Sequence, residues 1–207
     1  VTTALVAAFV AAQNQVQRQR DYLNQVVVSV DYRDRLTRPV GNAFAFYASA
    51  VRPEVSYDPE LPFWQTARDI HRQIRQSLTD ETIFESQQLN DLSPTLLDAL
   101  TFAKNGRLDD GLVNRLVERM GFNRVTASLV MTNLGRLDVP VEYGPRRLSA
   151  VYGPYVYSDT IEKYLGVMTL DGRMHLTLCH GEGIIEAATV KSVRDAAMAH
   201  LRKAVGW

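Results

Sequence analysis

The chain has 207 residues, and its 23 Lys and Arg balance its 23 Asp and Glu, so the formal net charge is zero. A balanced charge argues against a dedicated nucleic-acid-binding protein, because such proteins usually carry a basic excess. Apolar residues make up 46% of the chain, as in ordinary globular proteins. The single cysteine, Cys179, cannot form a disulfide within the chain, so a reducing, cytoplasmic setting is expected. The longest apolar run, residues 4–12, is too short to form a transmembrane segment.

The first half of the chain predicts a helix, two strands and a second helix. The opening helix is indicated by Leu5, Phe9 and Ala12, which recur on one helical face. Its polar end is followed by a valine-rich stretch that favours a strand. Helical spacing of apolar residues returns after a proline-rich connection. In chain order, the two predicted strands and the second helix cover residues 25–31, 43–51 and 63–78.

The second half predicts two short helices, several strands and a closing helix. Asp109 or Asp110 begins the second of these helices. Asp171-Gly172 between two apolar stretches is a strong signal for a two-residue hairpin. The predicted helices and strands cover residues 95–103, 109–121, 127–132, 148–157, 164–170, 174–179 and 189–205. This order predicts an α+β sandwich with a mixed, largely antiparallel sheet packed by helices.

Several common catalytic motifs are absent from the sequence. It contains no phosphate-binding P-loop, no dinucleotide-binding glycine fingerprint, no GxSxG elbow and no HExxH zinc motif. No cluster of thiols and carboxylates predicts a metal site. His180 ends a predicted strand and is followed by Gly181-Glu182, so one hypothesis makes His180 and Glu182 an acid/base pair of a hydrolase. The alternative is a histidine at the end of a strand with no catalytic role.

Arg33 is the best single candidate for a structural ion pair. It directly follows the valine-rich strand, and a guanidinium at a strand end can hold a carboxylate through two hydrogen bonds and fix a neighbouring loop. The alternative is a surface salt bridge to Asp31 or Asp34, which would contribute less than about 1 kcal/mol. The sequence leaves both interpretations open.

Several segments, taken in order, resemble the C-terminal half of the condensation-domain acyltransferase superfamily. The opening helix, VSVDYR at residues 28–33 and VGN at residues 40–42 are similar to the start of that half. VMTNLG at residues 130–135 resembles its strand ending in an Asn-x-Gly turn. Residues 164–180, followed by Gly181, look closest to the polyketide-associated acyltransferases, which make lipid esters. The superfamily also includes nonribosomal peptide condensation domains and chloramphenicol acetyltransferase.

The resemblance implies a two-lobed, chloramphenicol-acetyltransferase-like enzyme with a tunnel between its lobes. It implies transfer of an acyl group from a CoA or carrier-protein phosphopantetheine thioester to an alcohol or amine, with no covalently bound cofactor. A catalytic HHxxxD motif would lie in the N-terminal lobe. By position, Arg33 matches the arginine that pairs with the aspartate of that motif. Thr132, Asn133, Gly135 and His180 match residues of the tunnel wall.

The sequence departs from the superfamily pattern because no two histidines are adjacent, so HHxxxD is absent. The chain also begins at Val1 rather than Met. Residues 1–207 are therefore expected to form the C-terminal lobe of a larger enzyme, with no catalytic residue of its own and the N-terminal lobe as its partner. A surface facing that lobe would expose an apolar patch larger than about 600 Å². The alternative is a non-catalytic scaffold module of the same fold that contacts a carrier protein or partner subunit.

Overall fold

The computed structural model describes residues 1–17, 19–41, 43–85, 92–153 and 158–207. Six helices, seven strands and one short 3-10 turn lie within these residues. The helices are α1 Thr2–Val16, α2 Phe63–Ser77, α3 Asp80–Glu85, α4 Pro94–Lys104, α5 Gly111–Arg119 and α6 Ala187–Ala204. The strands are β1 Val26–Asp31, β2 Ala48–Val51, β3 Leu129–Arg136, β4 Glu142–Tyr143, β5 Arg146–Arg147, β6 Lys163–Leu170 and β7 Arg173–His180. The 3-10 turn covers Arg33–Arg35.

The main sheet has five strands in the order β2-β1-β3-β6-β7. Its two inner pairings, β1 with β3 and β3 with β6, are parallel. Its two outer pairings, β2 with β1 and β6 with β7, are antiparallel. The mixed sheet and the α+β class predicted from the sequence are confirmed. The antiparallel pairings are confined to the two edges and make up half of those in this sheet.

The main core lies between one face of the sheet and the helices α1, α2 and α6. Helix α1 is buried along residues 5–13, and Phe9 is 1% exposed. A helix that is apolar on nearly all sides must be covered on nearly all sides. Accordingly, α1 packs against both α2 and α6 as well as against the sheet. Leu165 of β6 and Met131 of β3 meet this layer from the sheet.

The predicted helices and strands agree best with the structure where neighbouring residues alone specify them. The opening helix, the valine strand, the hairpin and the closing helix are all confirmed. At Asp171-Gly172 the hairpin turns through φ values of +48° and +74°, both in the left-handed region that this type of turn requires. The prediction missed α3 and the β4–β5 hairpin.

Two strand predictions need correction. The strand expected over residues 43–51 is reduced to Ala48–Val51, because β1 pairs with it only from Val28 to Asp31. The described residues before it form a loop that exposes Phe44 and Phe46. The strand expected over residues 148–157 is absent from residues 148–153. Residues 154–157, like Asn42 of the VGN motif, lie outside the described part of the chain.

Asp110 begins α5 by accepting hydrogen bonds from the backbone N–H groups of Leu112 at 2.9 Å and Val113 at 3.0 Å. We expect Asp110→Ala to lower the free energy of unfolding by about 1 kcal/mol, since two helix donors lose their acceptor. Chemical denaturation followed by circular dichroism measures this change. The matched control is Asp109→Ala, because the Asp109 carboxylate accepts a single long hydrogen bond of 3.4 Å from the Asn114 side chain among the described residues. Equal losses in both variants would contradict the capping role.

Candidate functional site

The face of the sheet opposite the helices carries a row of small side chains. The register aligns Ala50 of β2 with Ser29 of β1, and Thr132 of β3 with Gly166 of β6 and Thr177 of β7. The Ser29 Oγ and Thr132 Oγ1 atoms are 2.9 Å apart and hydrogen-bonded, which joins the two halves of the row. We call these five residues the small-residue row. All five residues are small; Gly166 is buried, Ala50 is exposed, and the other three are half-buried.

Larger residues border the small-residue row along the strands. On one side, Val27 and Tyr164 belong to a second, smaller core cluster. On the other side, Leu134 is 54% exposed on the same face as Thr132. The Thr177 hydroxyl accepts a hydrogen bond from the Gly153 backbone N–H at 2.9 Å, so a loop approaches the β7 end of the row. The row places the hydroxyl groups of Ser29, Thr132 and Thr177 on this face of the sheet.

Asn133 and Gly135 shape the end of β3 next to this row. The Asn133 side chain lies on the helical side of the sheet, where Nδ2 donates to Thr2 Oγ1 at 3.0 Å. Its Oδ1 accepts from the Gly135 N–H at 2.9 Å. The β3–β6 register shifts between Asn133 and Arg136. The Asn-x-Gly turn predicted to end this strand is therefore a bulge within it, because the strand resumes pairing and continues to Arg136.

We expect Gly135→Ala to destabilise the chain by about 1–2 kcal/mol, because Gly135 has a φ of +72°, where an L side chain is strained. No neighbouring atom lies within 4 Å of the position a Cβ would take, so the loss reports backbone strain alone. Thermal denaturation provides the measurement. Gly111→Ala is the matched control, since Gly111 opens α5 without a positive φ. A Gly135→Ala variant as stable as Gly111→Ala would contradict the assignment.

Arg33 lies just beyond the carboxyl end of β1 and begins the 3-10 turn. Its guanidinium forms an ion pair with Asp31 and lies over the Tyr47 ring, 4.8 Å from the ring centroid. The Arg33 backbone N–H also donates to Asp31 Oδ1 at 2.9 Å. The side chain remains 42% exposed, so this surface pair contributes less than about 1 kcal/mol to stability. The sequence left Asp31 and Asp34 open as the partner of a surface salt bridge, and the structure shows Asp31.

The predicted site residues fall into two places. Since β1 and β3 run parallel, Arg33 and Gly135 both lie toward the carboxyl ends of these strands, which we call the carboxyl edge of the sheet. Thr132 lies three positions before Gly135, on the open face. His180 pairs with Lys163, the first residue of β6, and therefore lies at the opposite end of the strands. By alternation along β7, His180 lies on the helical side with Leu178. The structure thus brings Arg33, Thr132 and Gly135 to one region and places His180 elsewhere.

The hypothesis of a His180–Glu182 acid/base pair finds no support in the geometry. No hydrogen bond connects these two residues among those the structure describes, and the buried Nδ1 of His180 has no partner there. Elsewhere in the described ranges, no group of three or more His, Cys, Asp or Glu side chains could hold a metal ion. In the same residues no helix is both long and apolar enough to cross a membrane.

A buried polar network at the start of β6 was not predicted from the sequence. Lys163 and Glu162 are 0% and 1% exposed and form an ion pair. Gln17 at the end of α1 donates to Glu162 Oε1 at 3.0 Å and accepts from Lys163 Nζ at 3.1 Å. The Tyr22 hydroxyl donates to Glu162 Oε2 at 2.9 Å. Burial lowers the pKa of the Lys163 ammonium, and the Glu162 carboxylate opposes that shift.

Comparison with solved structures identifies the fold. The chain is similar to the cyclization-docking bidomain of a nonribosomal peptide synthetase from Sorangium cellulosum, with a TM-score of 0.61 and 16% identity. It is similar to a wax ester synthase/diacylglycerol acyltransferase from Marinobacter aquaeolei, with a TM-score of 0.54 and 13% identity. It is also similar to a trichothecene 15-O-acetyltransferase from Fusarium sporotrichioides, with a TM-score of 0.58 and 15% identity. No family model and no curated protein matches the chain.

The similarity covers nearly all of this chain but less than half of each matched structure. The matches include 98% of this chain for the bidomain, 99% for the wax ester synthase and 96% for the acetyltransferase. They include 36%, 43% and 40% of the bidomain, wax ester synthase and acetyltransferase chains. The resemblance found in the sequence is thus confirmed for the fold: the chain has the fold of part of a condensation domain or acyltransferase.

Proposed function

We propose that this chain is the C-terminal lobe of an acyltransferase that moves an acyl group from a thioester to an alcohol or amine. The observation that carries the proposal is the fold similarity, which spans almost the whole chain and 36% of the bidomain structure. A lobe of this kind needs a second lobe to close a tunnel. The open sheet face with its small-residue row is the surface that suits such a partner.

The proposal gives each site residue a role that follows from its place. Thr132 and Gly135 build the tunnel wall at the carboxyl edge of the sheet. Asn133 supports that wall from behind, through its bonds to Thr2 and Gly135. Arg33, half-exposed at the same edge, exchanges Asp31 for the aspartate of HHxxxD on the second lobe and holds that catalytic loop. His180 lies at the opposite end of the strands and on the helical side of the sheet, so a role in the tunnel requires the tunnel to reach around that end of β7.

The donor is proposed to be an acyl-CoA or an acyl group on carrier-protein phosphopantetheine. The solved wax ester synthase/diacylglycerol acyltransferase and the 15-O-acetyltransferase are named for acyl transfer to oxygen. The bidomain belongs to a peptide synthetase. The general base would be the second histidine of HHxxxD, which accepts the proton of the acceptor hydroxyl or amine as that group attacks the thioester carbonyl. The leaving group is then the free thiol of CoA or phosphopantetheine.

A second candidate function is a non-catalytic scaffold module that contacts a carrier protein or partner subunit. The absence of adjacent histidines in the sequence favours it. The reading frame of the gene separates the two candidates, because an enzyme requires an HHxxxD-bearing segment encoded upstream or in a partner gene. A frame and gene neighbourhood without such a segment would favour the scaffold.

The direct test mixes this chain with a matching lobe that carries HHxxxD and measures free thiol released from acetyl-CoA and from an acyl carrier protein, with an alcohol acceptor present. We expect release only when both lobes are present. A variant lobe with the second motif histidine changed to Ala is the control and should release none. A folded, associated pair that releases no thiol from any acyl donor would overturn the enzyme proposal.

A further inference from the structure

A cavity of about 440 Å³ lies within the helical layer, away from the open face of the sheet. Its walls come from α1, α2, α6 and the strap of chain that precedes α2. No residue that lines it belongs to a strand, so it is separate from the proposed tunnel. Its volume lies within the range of small-molecule sites in proteins.

One part of the cavity is apolar and fixed in shape. Ala7 and Ala11 of α1 form its floor, and their short side chains leave space for the cavity. The Trp64 indole forms a wall, and its Nε1 donates to the Ala204 carbonyl at 3.1 Å. The Phe63 ring meets the indole edge-on, with 5.1 Å between centroids. The indole is held from two directions, so its place beside the cavity does not depend on a ligand.

The other part of the cavity carries hydrogen-bond donors with no acceptor. Thr66 is only 5% exposed, lines the cavity, and makes no side-chain hydrogen bond to any residue that the structure describes. Among the described residues no side chain caps the amino end of α2. The N–H groups of Gln65 and Thr66 donate to the Pro62 carbonyl, which leaves those of Phe63 and Trp64, two residues that also line the cavity. A buried hydroxyl and free helix N–H groups both favour an acceptor, and the helix dipole favours a negative one.

Lys203 supplies the positive charge of this cavity. It lines the wall on α6 and forms no ion pair with another described residue. His200, one turn before it, is occupied by a 3.1 Å hydrogen bond between Nε2 and Gln15 Oε1. Burial, and then the Lys203 charge, lower the pKa of His200, so the imidazole is neutral at pH 7. The strap carboxylate of Asp58 lies outside the lining and accepts from the Glu60 N–H at 2.9 Å.

We propose that this cavity binds a small aromatic carboxylate, with its ring against Trp64 above the Ala7 and Ala11 floor. The carboxylate would accept from the Thr66 hydroxyl and the Phe63 and Trp64 N–H groups, and pair with Lys203. A flat ring fits because it can stack on the Trp64 indole or meet it edge-on. The site is independent of the acyl-transfer proposal.

The test is a titration of the 207-residue chain with 4-fluorophenylacetate, followed by fluorine NMR. We expect saturable binding with a dissociation constant below about 1 mM, within reach of a ligand of this size. The neutral alcohol 2-(4-fluorophenyl)ethanol should bind at least about tenfold more weakly, because it lacks the charge that Lys203 and α2 attract. Absence of saturable binding, or equal affinity for acid and alcohol, would overturn the proposal.

Variants locate the binding in this cavity. Thr66→Val keeps the side-chain shape and removes the hydroxyl, and Lys203→Gln removes the charge at an exposed helix end where the fold does not depend on it. Each should weaken binding by about fivefold or more. Lys191→Gln, on the same helix but outside the cavity, is the control and should not change the affinity. Equal affinities for Lys203→Gln and Lys191→Gln would place the ligand elsewhere and refute the assignment.

Discussion

Glu162→Ala should lower the free energy of unfolding by about 3–5 kcal/mol, because it leaves the fully buried Lys163 without its charge partner. The same change removes the acceptor of Gln17 and of the Tyr22 hydroxyl. These residues connect the end of α1 and the following loop to the start of β6, so the loss acts on the tertiary structure. Urea denaturation of the variant and of the unchanged chain measures the difference.

The pH dependence of this variant has a defined sign. Burial lowers the pKa of Lys163 in the folded chain, and loss of Glu162 removes the carboxylate that raised it. In the unfolded chain, lysine titrates near its ordinary value of about 10.4. Between the lowered pKa and that value the unfolded chain binds more protons, so the free energy of unfolding rises with pH. We expect Glu162→Ala to regain stability as the pH is raised from 7 toward 10.

Two controls keep the result interpretable even if the single variant fails to fold. Glu162→Ala combined with Lys163→Met removes both charges, and we expect it to recover most of the lost stability, since an apolar pair often replaces a buried ion pair at little cost. Glu182→Ala changes an exposed carboxylate and should cost less than about 0.5 kcal/mol. A double variant as unstable as the single one would show that hydrogen bonding rather than charge holds this network.

Arg33→Ala should reduce acyl transfer by the assembled two-lobed enzyme about 100-fold, because a catalytic loop displaced by about 1 Å loses its alignment with the substrate. The same change should alter the stability of this chain by less than about 1 kcal/mol, since the Arg33–Asp31 pair is exposed. Arg33→Lys keeps the charge but not the planar guanidinium, and we expect an intermediate loss. Thiol release at saturating acyl-CoA measures the effect.

Arg35→Ala is the matched control for Arg33. Arg35 belongs to the same 3-10 turn and forms an exposed ion pair with Asp80, with Nη1 2.7 Å from Oδ1. We expect its replacement to leave thiol release within about twofold, because its partner lies within this chain and outside the proposed tunnel. Similar losses for Arg33→Ala and Arg35→Ala would mean that the 3-10 turn as a whole, and not the Arg33 guanidinium, supports activity.

Local signals in the sequence were enough for much of the fold. Apolar residues that recur on one helical face predict helix α1, and Asp171-Gly172 predicts the β6–β7 hairpin at its correct position. The burial of α1 on nearly all sides was not predicted. Residues 43–47 were predicted as strand because Phe44, Phe46 and Tyr47 favour extended structure. Whether such a segment becomes a strand depends on a partner, and β1 ends at Asp31, opposite Ala48, so the residues before Ala48 have no strand beside them.

The candidate site depends more strongly on contacts between distant residues. The small-residue row needs the register of five strands, which no local pattern specifies. Glu162 and Lys163 look like a solvated charge pair in the sequence, whereas Gln17 reaches Glu162 from 145 positions away and makes their burial tolerable. The sequence nevertheless indicated Arg33 and Thr132, which lie toward the same edge of the sheet. The one available signal for the buried pair was two adjacent charges at the start of an otherwise apolar strand.

A structure of this chain assembled with an HHxxxD-bearing lobe would show whether Arg33 holds the catalytic loop. We expect the Arg33 guanidinium to leave Asp31 and to lie within about 4 Å of the motif aspartate, at ion-pair distance. We also expect Thr132 to face a closed channel between the two lobes. An assembly in which Arg33 stays paired with Asp31, and Thr132 contacts no residue of the second lobe, would contradict this proposal.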